Sequence, residues 1–99
     1  MGKLTIIYWR DIPAQVVGQQ GRQRHKRVLD GRFAVAIDRA AMRAGKGSSD
    51  AYLAEWRRGA PEPCGDDLEA EADRATAKLE EDYGKDRLRQ LVAQDGWER

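Results

Sequence analysis

The chain has 99 residues, enough for one domain and one modest core but not for a cofactor domain beside a substrate domain. Hydrophobic residues at 40% and charged residues at 35% exclude a disordered polar chain, and one cysteine with one histidine excludes a disulfide framework and the usual zinc constellations. The net charge of +1 conceals a division: residues 1–60 carry twelve Lys/Arg against five Asp/Glu, and residues 61–99 carry six against twelve.

In chain order, residues 3–9 are rich in β-branched and aromatic side chains and predict a strand with Leu4, Ile6 and Tyr8 on one face. Asp11, Ile12 and Pro13 should break it, since proline has no N–H for a ladder. Residues 14–20 predict a second strand around Val16 and Val17. Gly21 then allows a turn into a third, residues 22–29. Alternation there puts Arg22, Arg24, Lys26 and Val28 on one face and Gln23, His25, Arg27 and Leu29 on the other.

Asp30 predicts a helix N-cap, followed by Phe33, Ile37, Ala40 and Ala44 at helical spacing and by Gly45 as the stop. Ser48, Ser49 and Asp50 open a second helix with Tyr52, Leu53 and Trp56 on one face and Gly59 at its end. Residues 60–65, with Pro61 and Pro63, read as a stiff linker. Asp66 or Asp67 caps a third helix carrying Leu68, Ala72, Ala75, Leu79 and Tyr83 as one stripe. Gly84 ends or bends it before Leu88, Leu91 and Val92, and Trp97 is free to fold back as an anchor. The expected architecture is therefore a single α+β domain over residues 1–99. It comprises a small N-terminal antiparallel sheet of two or three strands, packed by three or four helices, with an acidic helical part at 66–99.

The charge division predicts either an acidic part that folds back and neutralises the basic one, or two faces that meet different partners. No segment approaches the ~20 apolar residues that span a bilayer. The first apolar run is cut at Arg10, short of a secretory leader. A cytoplasmic protein without membrane attachment is expected.

Catalytic signals are absent. Cys64 lies beside Asp66 and Asp67, which raise a thiol pKa and blunt its nucleophilicity. His25 sits among Arg24, Lys26 and Arg27, and no motif joins it to Cys64. Glu80 and Glu81 read as the wet side of a helix. Gly18-Gln19-Gln20-Gly21 lacks the lysine and the helix of a phosphate loop. No catalytic residue, metal ligand or cofactor is assigned. The basic run Arg22, Arg24, Lys26 and Arg27 could contact an acidic protein or phosphates, but no aromatic residues are interleaved to stack on bases. Trp9 and Trp56 each adjoin an arginine, a pairing typical both of cores and of binding hot spots.

The segment from Ile7 through Tyr8-Trp9-Arg10-Asp11-Ile12-Pro13 to Val16, the helix from Phe33 to Gly45, and Asp50-Ala51-Tyr52-Leu53-Ala54-Glu55-Trp56-Arg57 together resemble the bacterial virulence-factor domain family. The resemblance covers residues 4–58. It brings no catalytic residues. Related domains stand beside scaffold-like and helical-repeat modules in larger proteins of the conserved virulence factor C type, which implies an interaction role. The resemblance further points to a folate- or corrinoid-dependent methyl-transfer enzyme as partner.

The expected function is thus a small accessory protein, not an enzyme, that docks on an acidic protein or a methyl-transfer enzyme. The expected docking residues are Tyr8, Trp9, Arg10, Asp11, Trp56 and Arg57, joined by the basic patch Arg22, Arg24, Lys26 and Arg27. Nucleic-acid binding through residues 22–27 and service as a small subunit of an enzyme complex are the alternatives.

Overall fold

The computed structural model describes residues 2–98. β1 (Gly2–Trp9), β2 (Ile12–Gln20) and β3 (Gln23–Val28) form an antiparallel meander. α1 (Gly31–Arg43) and the short α2 (Ser49–Ala54) follow, then β4 (Trp56–Arg58) and β5 (Glu62–Cys64), and finally α3 (Leu68–Asp82) and α4 (Lys85–Ala93). Among the described residues the fold is α+β, with a five-stranded antiparallel sheet and four helices.

The sheet has five strands rather than two or three, in the order β3-β2-β1-β4, with β5 also on β1. The two added strands come from segments read as a helix end and a linker. β4 pairs Trp9 with Trp56 and Ile7 with Arg58, while β5 pairs Leu4 with Glu62 and Gly2 with Cys64. Both share one edge of β1, one at each end. Three-residue strands carry too little pattern to be seen locally, and they form because β1 offers them an unpaired edge. Pro63 is tolerated because β5 is itself an edge strand. The second helix accordingly stops at Ala54, and Leu53 remains exposed.

Pro13 does not interrupt β2, which starts one residue earlier. It sits across from Tyr8, where a bulge shifts the register, and beyond the last β3 pair at Gln15 and Val28. A missing N–H there breaks no ladder on the β3 side.

The helix signals hold. Asp30 accepts from Arg32 N at 3.2 Å, Asp67 from Ala70 N at 3.2 Å, and Gly45 leaves α1 with φ +72°. α3 runs over the face of the sheet that carries Leu4, Ile6, Val16 and Gly18, burying Leu68 and Ala72. α1 and α4 close the other end around Trp9, Ile12, Leu29, Phe33, Ile37 and Leu91. Among the described residues no helix is long and apolar enough to cross a membrane.

Candidate functional site

The turn between β1 and β2 binds the protein's distant parts together. Trp9 has no exposed surface; its indole nitrogen donates to Tyr52 O at 2.9 Å and its ring stacks on Tyr52. Arg10 is only 8% exposed and takes φ 52°, which costs a non-glycine residue about 1–2 kcal/mol. Several contacts offset that strain. Its guanidinium pairs with Glu55, donates to Asp95 O at 2.8 Å, and lies between the Trp9 and Trp97 rings at 5.2 and 4.8 Å. Asp11 accepts from Arg57 at 3.0 Å and from Glu98 N at 2.7 Å. Arg57 also donates to Arg10 O at 2.9 Å and covers the half-buried Tyr8 ring at 4.3 Å. Gly96, at φ +91°, completes the clasp by accepting from Asp11 N; a Cβ there would meet the Trp9 ring at 3.1 Å.

Of the six residues expected at a docking surface, Trp9 and Arg10 therefore have their side chains inside the protein. Tyr8, Asp11 and Arg57 engage one another or the chain's C-terminal end. Trp56 is half-buried, edge-on to Tyr52. It lines a hollow of about 250 Å³ with Gln15, Val28, Leu29 and Ile37.

The basic patch divides along the strand. Residues paired directly across antiparallel strands share a face. Arg27 pairs with Val16, on the α3 face, and there meets Asp73 at 2.5 Å and Glu69 at 3.7 Å. Arg24 and Lys26 pair with Gln19 and Val17, on the opposite face; Arg22 lies in the turn before β3.

That opposite face is the candidate site. Its rows run Arg24, Gln19, Lys3 and Pro63; Lys26, Val17 and Thr5; and Val28, Gln15, Ile7 and Arg58. Lys3, Arg24, Lys26 and Arg58 are exposed, and none of them has an ion-pair partner among the described residues. No acidic residue occupies any of these register positions. The face is indented near Thr5, Gln19, Gly21, Arg58 and Pro61, and at its other end passes into the apolar hollow beside Trp56. Lys3 and Arg58 were not singled out in the sequence, because they join Arg24 and Lys26 only through strand register.

Two titrating groups lie on the α3 side. Burial, then the Glu71 and Asp66 carboxylates, push the Cys64 thiol up; of the two expected carboxylates, Asp66 and Asp67, Asp66 is among the causes, and Glu71, on the next helix, was not expected. Burial also pushes the Tyr83 phenol up, against the lowering effect of Arg87 stacked on its ring.

A family model described as virulence factor matches residues 7–92, and the chain belongs to that family. The match begins at residue 7 rather than 4 and runs past residue 58 to take in α3 and nearly all of α4. No curated protein and no solved structure matches the chain.

Proposed function

We propose that this member of the virulence factor family is an interaction module whose open sheet face docks an acidic segment of another protein. The observation that carries the reading is the charge on that face: Lys3, Arg24, Lys26 and Arg58 converge in register with no carboxylate among them. Uncompensated cations on one face raise the encounter rate with an acidic partner and repel basic ones. The hollow beside Trp56 supports a protein over a nucleic acid. It would take one large apolar side chain, the anchor a protein segment supplies, whereas the cationic rows offer no aromatic ring to stack on bases. A methyl-transfer enzyme is the first partner to test.

The test is affinity capture from nuclease-treated native lysate with the wild-type chain and with a Lys3→Glu, Arg24→Glu, Lys26→Glu triple variant. All three residues are exposed, so the variant should fold. A stoichiometric acidic protein retained by wild type, released by salt and lost in the variant is the expected result. Equal capture by both chains would sink the proposal. Recovery of nucleic acid alone, when nuclease is left out, would transfer the same face to the nucleic-acid alternative.

A further inference from the structure

α1 and α4 pack side by side, and the exposed groove between them owes nothing to the sheet face. Each helix contributes one stripe at spacing i, i+3, i+4, i+7: Arg32, Val35, Ala36 and Arg39 from α1, then Lys85, Leu88, Arg89 and Val92 from α4. The apolar members make the floor. Ala36 and Leu88 are buried, whereas Val35 is 49% exposed; Met42, one heptad beyond it, is 67% exposed and prolongs the apolar edge. The four cations form the rim, and among the described residues no acid lines the groove, whose volume is about 330 Å³. Arg32 is engaged by Asp30, and Arg89 reaches Asp86 at 3.5 Å. Arg39 and Lys85, one on each helix, have no ion-pair partner among the described residues.

We infer that this groove binds an amphipathic helix whose apolar stripe is flanked by Asp and Glu. Val35 and Ala36 beside Leu88 and Val92 make an apolar floor of about 6 Å, roughly one helical turn, between the cations of the two helices. A third helix lays its ridge into such a furrow between two others. The cationic rim on both sides selects the charge of the occupant's flanks and rejects a basic amphipathic helix. The chain's own acidic helix is not free to serve, because Leu68 and Ala72 of α3 are buried against the sheet.

The test is a displayed library of helical peptides of about 14 residues, or four turns, with apolar residues fixed at that spacing and flanks randomised. Selection runs on the wild-type chain and against Val35→Glu, a change at an exposed helical position that should leave folding intact. The expected survivors carry an excess of Asp and Glu on their flanks and bind Val35→Glu at least tenfold more weakly. Survivors without an acidic bias, or equal binding to the variant, would overturn the inference. So would two other findings: sodium dodecanoate binding in the groove while no peptide is enriched, which makes it a small-amphiphile site, or self-association of the chain that Val35→Glu abolishes, which gives the groove to a second copy.

Discussion

The two faces of the central sheet are built by the same strands and have opposite fates. On one, α3 lays Leu68 and Ala72 over Leu4, Ile6, Val16 and Gly18, and its carboxylates at Asp73 and Glu69 take up Arg27. On the other, Lys26 and Arg24, one and three residues before Arg27 along β3, share the face with Lys3 and Arg58 instead. A strand's alternation thus splits one basic run into a neutralised half and an unneutralised half. The near-zero total charge masks this, since the acidic tail folds back but reaches only one side of the sheet. The first outcome expected from the charge division, an acidic part that folds back and neutralises the basic one, holds on the α3 face, at Arg27.

The largest effect that sharpens the contrast is on stability. Leu68→Ala should cost about 2–3 kcal/mol, since it opens a cavity between α3 and the sheet, while Lys26→Ala should stay within about 0.5 kcal/mol. Denaturant unfolding of the two variants checks this, and similar losses would mean that the open face is packed after all. A smaller effect distinguishes neighbouring arginines. Arg27→Ala should lose about 0.2–1 kcal/mol, the range of exposed ion pairs, and the loss should fade with added salt. Arg24→Ala, with no ion-pair partner to lose among the described residues, should show neither the loss nor the salt dependence.

The smallest effect concerns protons. Cys64 pairs with Gly2 on the α3 side, where burial, Glu71 and Asp66 hold its thiol above the ordinary value. Its iodoacetamide reactivity should therefore rise with pH along a curve displaced upward from that of an unfolded control, and Glu71→Gln should move the curve back down. Because the folded value is raised, the thiol's contribution to stability is full below the ordinary thiol pKa and is lost as pH rises through the folded value. An undisplaced curve would mean that neither burial nor the carboxylates act on the sulfur, and a displaced curve that Glu71→Gln leaves in place would mean that this carboxylate does not face it.

Where local chemistry decides an element, the sequence was readable. Asp30 and Asp67 announce their helices by capping them, Gly45 ends α1 through its left-handed φ, and alternation sorts β3 correctly into two faces. Gly84 separates α3 from α4 as one of its two expected roles. The site was readable only in part. Arg24 and Lys26 stood out as a run, but their companions Lys3 and Arg58 lie more than twenty positions off along the chain. Trp9 and Arg10 looked like a surface because a tryptophan beside an arginine has the same signature in a hot spot as in a core. The burial of both side chains follows from Tyr52, Glu55, Asp95 and Trp97, which no local pattern connects to them.

Composition, periodicity and caps determined a small α+β domain with a basic first part and an acidic last part. Those are properties of side chains and of residues within a turn or two of one another, so they survive without knowledge of the fold. Tertiary structure alone decided that Trp56–Arg58 and Glu62–Cys64 become strands, that α3 covers one face and leaves the other open, and that α1 and α4 bring their cations to a common groove. Each of these depends on an unpaired edge or an apolar surface presented by a distant segment, and the free energy of such contacts exists only once the chain has closed upon itself.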